Sequence, residues 1–505
     1  MRDDPVPTIT ELNLYVEDAA IELLPRRDAM RLQVLPMQLQ GEKLLVAMVN
    51  PDDLPKLDEL RLLTGKDILP ARADLRVIDR GIQRFYGERE ELETGPALME
   101  PGLVVQADSG VGASLRGGGE DAPAVALVNE LLETAILSRA SDIHFEAGAT
   151  KLQVRLRVDG VLFDQQSYPM DLHAPVVSRL KIMAGMDIGE RRLPQDGRFD
   201  ARLRGRVFDI RASVVPSIFG ETLVLRLLPK TATGLKLSEL GFSTEQLRIM
   251  EEDVARRPHG MVFATGPTGS GKTTTLYAIL TRLDRVGRNV VTVEDPVEYQ
   301  LTRATQIQVH PRIGLDFAAG LRSMLRQDPD IIMVGEIRDL ETLRMAIQSA
   351  LTGHLVLTTV HCNDAASGSA RLIDIGAEPF LVASAATAFL SQRLVRKICP
   401  ECRVEDNPKR EVLESLGITE GTFYRGRGCE QCRGTGYYGR TSCFEIMMVN
   451  EIIASAITRR ESGGEIRRLA RSMGFRSVRD DAIEKAKEGV TTVEEIVRAV
   501  WIEED

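Results

Sequence analysis

Gly266-Pro267-Thr268-Gly269-Ser270-Gly271-Lys272-Thr273 follows the apolar run Met261-Val262-Phe263-Ala264-Thr265 and precedes Thr274 to Leu283, which carries helical patterning. Strand, glycine-rich turn and helix in that order make a cradle for a nucleoside triphosphate. Gly266, Gly269 and Gly271 let the backbone turn its N–H groups inward around phosphate oxygens. Lys272 supplies a point charge, and the Thr273 hydroxyl can hold magnesium. Thr274 opens the helix proper, whose N-terminal dipole faces the anion. The pattern G-x-x-x-x-G-K-[ST] is complete, with Pro267, Thr268 and Ser270 in its variable positions. The bland alternative is a glycine-rich turn that binds nothing.

Downstream, the apolar strand Val290 to Val293 runs directly into Glu294-Asp295-Pro296-Val297-Glu298. Open α/β sheets bind ligands at the carboxyl ends of their strands, which is where these carboxylates fall. A second apolar strand, Ile331 to Val334, ends in Gly335-Glu336. That is the position of an acidic group that holds magnesium or orients water. A lone acid after a strand often only caps the next helix; two such strand ends beside a full phosphate loop favour a catalytic reading. A third strand, Leu355 to Val360, lies between His354 and His361. His361 can sense a terminal phosphate, bridge to a neighbouring subunit, or be a satisfied structural histidine.

The chain is 505 residues long, 43% hydrophobic and 27% charged, with a formal charge of −10. This is the composition of a globular protein of several domains. The acidic balance and single tryptophan speak against a nucleic-acid translocase, which needs a basic or aromatic channel. No apolar run approaches the ~18 residues of a membrane-spanning helix, and the N-terminus lacks a signal-peptide core. The expected location is therefore cytoplasmic.

Composition breaks divide the chain into an N-terminal α/β domain (1–95), a glycine-rich flexible linker (96–122), a middle domain (123–229) and a nucleotide-hydrolase domain (230–505). In the first, Lys43 to Val49 reads as a strand and Asn50-Pro51-Asp52-Asp53 as a turn. Leu54 to Leu63 and Val77 to Tyr86 read as helices. In the middle domain Ala122 to Arg139 reads as a helix and Asp142 to Glu146 as a strand. Leu152 to Val158 and Val161 to Phe163 flank the hairpin signal Asp159-Gly160, and Val207 to Val214 and Thr222 to Leu228 add further strands.

Of six cysteines, four stand as Cys399-Pro400-Glu401-Cys402 and Cys429-Glu430-Gln431-Cys432, two knuckles 26 residues apart. Four thiolates in paired turns make the tetrahedral set that zinc prefers, and Gly426, Gly428, Gly434 and Gly436 supply tight turns around them. A redox dithiol is the weaker alternative. Cys362 and Cys443 have no evident partner and read as buried thiols.

These motifs resemble the secretion ATPases of the type II and type IV pilus kind, and specifically the general secretion ATPase (GspE) family. The resemblance runs through Thr292 to Tyr299 (the aspartate box), Gly320 to Asp330 with Ile331 to Asp339 (the Walker B segment) and Leu351 to His361 (the histidine box), in family order and spacing. Ser141-Asp142-Ile143-His144-Phe145-Glu146 matches a further signature, in which His144 reads as structural. The resemblance implies a RecA-like core, a PAS-like middle domain and a zinc subdomain at 397–440. It also implies ATP and Mg2+ as ligands, a homo-hexamer, and docking of the N-terminal domain on an inner-membrane secretion platform, with membrane contact only through partners. Glu336 looks like the catalytic Walker B glutamate, and Glu294 and Glu298 like polar ligands around magnesium and water. Arg211 and Arg226 match arginines that reach the terminal phosphate across a cleft or subunit boundary; read alone, each is an exposed strand arginine in an ion pair. Arg322 and Arg326, four apart on an expected helix, can serve likewise. Departures from the family pattern are Val360-His361-Cys362-Asn363 and Cys443, neither of which touches a phosphate ligand.

Overall fold

The computed structural model describes residues 8–9, 16–21, 23–40, 43–74, 77–78, 81–82, 104–107, 122–230, 236–283 and 287–500. They fall into two compact units, one up to residue 104 and the other carrying the rest of the chain apart from 202–206.

In the first unit, strands β1 (Thr8–Ile9), β2 (Val34–Gln40), β3 (Lys43–Met48) and β4 (Asp67–Ala73) form a sheet of order β1-β4-β3-β2. The expected turn delivers Asp53, whose carboxylate accepts the Lys56 N–H and caps the helix Leu54–Thr64; Gly65, with φ 65°, ends it. Leu35, Leu44, Val46, Leu57 and Leu60 meet in one apolar core. The helix expected at Val77 to Tyr86 is described only at 77–78 and 81–82, both helical, and otherwise lies outside the described residues.

The middle of the chain is a seven-stranded sheet built from β5 (Val104–Ala107), β6 (Ala140–Ala147), β7 (Lys151–Val158), β8 (Val161–Pro169), β9 (Gln195–Leu203), β10 (Arg206–Ser217) and β11 (Gly220–Pro229), in the order β5-β9-β10-β11-β6-β7-β8. Alternate residues Leu152, Val154 and Leu156 on β7 and Leu223, Leu225 and Leu227 on β11 are buried, so one face packs inward, as alternation demands. Asp159 (φ 49°) and Gly160 (φ 87°) make the tight β7–β8 turn that the dipeptide announced. The helices Ala122–Leu137 and His173–Met183 pack together beside the sheet. One expectation is corrected: β5 lies inside the segment 96–122 read as linker and neighbours β9, because four extended residues, Val104 to Ala107, find a sheet edge. The rest of 96–121 lies outside the described residues.

The hydrolase core is a second seven-stranded sheet: β12 (Gly260–Thr265), β13 (Val290–Glu294), β14 (Ala304–Gln308), β15 (Ile331–Val334), β16 (Leu355–Val360), β17 (Ala386–Ile398) and, beyond the short pair β18 (Arg403–Asp406) and β19 (Phe423–Gly426), β20 (Tyr437–Met448). Its order is β14-β13-β15-β16-β12-β17-β20, parallel as far as β17, with β20 antiparallel at the edge. Successive residues feed opposite faces: Phe263, Val293, Ile332 and Val356 join one core, and Val262, Val290, Met333 and Leu357 the other. A parallel sheet buried on both sides explains the near-continuous apolar runs. Because β16 lies between β12 and β15, His361 at its end stands between the phosphate loop and Glu336.

Candidate active site and metal centre

The phosphate loop joins β12 to the helix Lys272–Arg282, so Lys272 and Thr273 are already in the first helical turn, two residues earlier than their patterning suggested. Gly266, Gly269 and Gly271 have φ of 139°, 78° and 91°. At Gly266 a Cβ would come within 2.7 Å of Ser270 Oγ, and at Gly271 within 2.8 Å of Gln392 Nε2, so glycine is required at both for conformation and for space. The Lys272 ammonium donates to the carbonyls of Gly266 (2.9 Å) and Pro267 (3.0 Å). Burial pulls its pKa down, and the nearby Glu336 carboxylate pushes it back up. A helix N-terminus, inward-turning amides and one ammonium fit a triphosphate, and Thr273 at the first turn fits magnesium.

Glu336 follows β15 and is held on two sides: Arg338 Nη2 is 2.5 Å from Oε1, and His361 Nε2 is 3.5 Å from Oε2. Thr359 Oγ1 donates to the Gly335 carbonyl at 2.7 Å, and the Ile337 N–H to the Thr359 carbonyl, tying the ends of β15 and β16 together. The structure thus brings Lys272, Glu336 and His361 into one neighbourhood. A cavity of about 720 Å³ opens beside it, lined by Gly266, His361, Asp364, Arg371 and Arg467 among others.

Glu294 is placed differently from Glu336. Only 2% exposed, it accepts hydrogen bonds from Tyr277 Oη, Thr292 Oγ1 (2.5 Å) and Gln306 Nε2 (3.1 Å), and burial raises its pKa. Tyr277 belongs to the phosphate-loop helix, so Glu294 joins that helix to β13. Glu298 is half-buried and meets Arg211 of the middle domain, whose Nη2 lies 3.1 Å from its Oε2. Arg211 therefore reaches the aspartate box across the cleft within one chain. Arg226 stays inside its own sheet, with Nε 3.0 Å from the Oδ1 of Asp142 and the side chain 64% exposed. Arg322 pairs with Glu341. Arg326 does not share a helix face with Arg322: the helix Phe317–Met324 ends first, and the Arg326 guanidinium turns back onto the Arg322 carbonyl at 2.9 Å. His354 Nδ1 sits 2.8 Å from the Ser349 carbonyl, a local brace. His144 is internal to the middle sheet, with a buried Nε2 that has no partner among the described residues. Sequence reasoning missed Gln392, whose amide donates to the Ser270 carbonyl at 2.5 Å; its only signal was a glutamine inside an apolar run.

The four cysteines of the two knuckles converge, with sulfur separations of 3.7 Å (Cys399 to Cys429), 3.8 Å (Cys402 to Cys432) and 3.7 Å (Cys429 to Cys432). A tetrahedron with zinc–sulfur bonds of about 2.3 Å has an edge of about 3.8 Å, so the donor set fits zinc. Backbone N–H groups of Gly428, Cys429 and Gly436 point at Cys402 and Cys432 sulfurs at 3.1 to 3.3 Å, as thiolates require. This knuckle region also touches the middle domain. Arg433 donates to Ser138, the Arg139 guanidinium lies 3.6 Å over the Tyr438 ring, and the Gly439 N–H donates to Asp159 at 2.9 Å.

Comparison with known proteins follows the same division. A family model described as type II/IV secretion system protein matches residues 118–498, and the MshEN domain model matches 5–92. The type II secretion system protein E of Pseudomonas aeruginosa is 49% identical, covering 75% of this chain and 76% of its own. The type IV pilus assembly ATPase PilB of Myxococcus xanthus is 42% identical, covering 97% and 88%. The Legionella pneumophila ATPase DotB, 22% identical with a TM-score of 0.55 over 73% of this chain and 94% of its own, shares the fold. Phosphate loop, acidic strand ends and tetracysteine knuckle thus stand within one matched segment, and the chain belongs to the type II/IV secretion system protein family.

Proposed function

We propose that the protein is the ATPase of a type II secretion system, hydrolysing ATP in the cytoplasm to drive pseudopilus assembly and protein export across the outer membrane. The observation that carries this is the convergence of Lys272, Glu336 and His361 at the ends of β12, β15 and β16. Gly266 to Thr274 would bind the triphosphate, with Lys272 and the helix N-terminus taking its charge, and Thr273 would hold Mg2+, which would supply charge neutralisation at the phosphates. Glu336, oriented by Arg338 and His361, positions the attacking water and accepts its proton. Glu294 keeps the phosphate-loop helix in register with β13, and Glu298 holds Arg211 at the cleft. Arg211 and Arg226 must each exchange a carboxylate, Glu298 or Asp142, for the γ-phosphate when the cleft closes. A guanidinium so placed spreads transition-state charge. Cys399, Cys402, Cys429 and Cys432 bind structural Zn2+.

We keep the divisions 1–95, 123–229 and 230–505, with 397–440 as the zinc subdomain; the first of them is supported by two family matches that leave 93–117 between them. We assign the working form as a homo-hexamer whose N-terminal domain docks on inner-membrane platform proteins, placing the protein peripherally at that membrane. Among the described residues no helix is long and apolar enough to cross a membrane.

A second reading, a type IV pilus extension ATPase, rests on the Myxococcus pilus protein, which matches nearly the whole chain at 42% identity; the Dickeya dadantii type II secretion system protein E matches it as fully at 40%, so coverage does not choose between them. Complementation separates the two. The full-length gene should restore export in a cell lacking its own secretion ATPase, and Lys272→Ala should not; restored piliation without export would establish the pilus reading instead.

A further inference from the structure

Strand β17 forms the wall of the phosphate loop, and three consecutive residues on it face two different parts of the site. Gln392 is wholly buried. Its Nε2 donates to the Ser270 carbonyl at 2.5 Å, and its Oε1 is buried without a partner among the described residues. Its neighbours turn the other way: Arg393 Nη2 donates to the Asn363 carbonyl at 3.0 Å, and Ser391 Oγ to the same oxygen at 3.4 Å. Asn363 lies in the loop that carries His361, so one tripeptide ties the phosphate loop and the histidine loop to a single rigid strand.

The contact with Ser270 has a geometric consequence. In a trans peptide the C=O and the following N–H point in opposite directions. A side chain that draws the Ser270 oxygen towards β17 therefore turns the Gly271 N–H the other way, into the loop. The packing at this point leaves no slack: a Cβ on Gly266 would come within 2.8 Å of the Gln392 carbonyl oxygen, and one on Gly271 within 2.8 Å of Gln392 Nε2. Gly271, with φ 91° and no side chain, would otherwise be free to let this peptide rotate.

We propose that Gln392 is a positioning residue for phosphate binding: its amide locks the Ser270–Gly271 peptide so that the Gly271 N–H is already aimed at the anion before nucleotide arrives. The benefit is preorganisation, since an amide that must turn on binding loses ordering entropy that a fixed one does not. The inference rests on the nucleotide reading of the loop and adds a residue outside the eight-residue pattern. It concerns binding of the phosphates, not the hydrolytic step, so it predicts an effect on affinity and KM and little on kcat.

The test uses the full-length chain with Mg2+ and a fluorescent ATP analogue, together with steady-state hydrolysis. Gln392→Met keeps the length and fills the space but has no donor; Gln392→Glu keeps the shape and sets a carboxylate against the Ser270 carbonyl. Both should raise the Kd of the analogue and the KM for ATP by about tenfold, with kcat within about threefold of wild type. Thermal midpoints of the nucleotide-free proteins identify a variant that is merely unstable, because loss of packing alone moves the midpoint and leaves the KM unchanged. A folded Gln392→Met protein with wild-type Kd and KM overturns the proposal. Failure of the wild-type chain itself to bind the analogue overturns the nucleotide reading beneath it.

Discussion

Glu336 and Lys272 sit close enough for the carboxylate to oppose the effect of burial on the ammonium, yet they answer to different steps. Glu336→Gln keeps the shape, the Arg338 contact and the phosphate loop, and removes the proton acceptor. It should lower kcat by ~10²-fold or more while leaving nucleotide affinity near wild type, as a filter-binding assay beside a phosphate-release assay will show. An unchanged kcat would remove Glu336 from the role of proton acceptor, and a wild-type chain that binds nucleotide without releasing phosphate would be a nucleotide-gated scaffold. The two leftover thiols make a contrasting case. Burial pushes both Cys362 and Cys443 up to about 12, so at pH 8 only ~1 in 10⁴ of each is thiolate. Iodoacetamide at that pH should leave both unmodified on the timescale that labels free cysteine, as mass spectrometry of tryptic peptides will report. Unmodified thiols in that assay would mean that the departures from the family pattern at these positions do not create a redox switch. At this scale the sequence disclosed groups whose chemistry depends on local spacing, such as Lys272 and the cysteines. It did not disclose that Glu294 is saturated by Tyr277, Thr292 and Gln306, or that Arg226 is held by Asp142, because each depends on partners brought in by the fold.

Among elements, the C-terminal helix Val493–Ala499 is fastened to β17 by one carboxylate. Glu495, 1% exposed, accepts from the Arg396 backbone N–H (3.0 Å) and Nε (3.0 Å), and from Arg498. Burial alone would raise its pKa; the two guanidiniums and the N–H outweigh it and hold the carboxyl below its ordinary value. A depressed carboxylate pKa stabilises the fold above the unfolded value, and that stability is lost as pH falls through the folded one. Acid should therefore loosen this helix below about pH 4.5, seen as faster hydrogen exchange at 493–499. At neutral pH Glu495→Ala should cost about 2 kcal/mol in denaturant unfolding, since it strands the part-buried Arg396 guanidinium. Elements were legible where their periodicity was local: β12, β13, β15 and β16 as apolar runs, β7–β8 from Asp159-Gly160, and the helix after the 50–53 turn from its spacing of apolar residues. The expected linker concealed β5, and β17 with β20 went unread. In β17 and β20 polar residues such as Ser391-Gln392-Arg393 and Arg440-Thr441-Ser442 interrupt the apolar run that marked the other core strands, which is also why Gln392 and Arg393 escaped notice.

For the molecule as a whole, the tetracysteine centre bears on more than its own loop. Cys399→Ser with Cys402→Ser should take zinc from about one per chain to near zero by atomic absorption, and undiminished content would refute the site. The same variant should expose residues 138–160 of the middle domain to faster proteolysis, because Arg433, Tyr438 and Gly439, which touch Ser138, Arg139 and Asp159, hang from the second knuckle. With zinc bound, the stacked guanidinium and ring would link metal coordination to the posture of the middle domain. Thermodynamic reciprocity then makes the traffic two-way: whatever tilts the lobe must register as a change in how tightly the sulfurs grip their ion. The affinity of a zinc-loaded knuckle for its ion, read by competition with a chelator, would then serve as a strain gauge for movement of the middle domain, taken at a place where no ATP is bound.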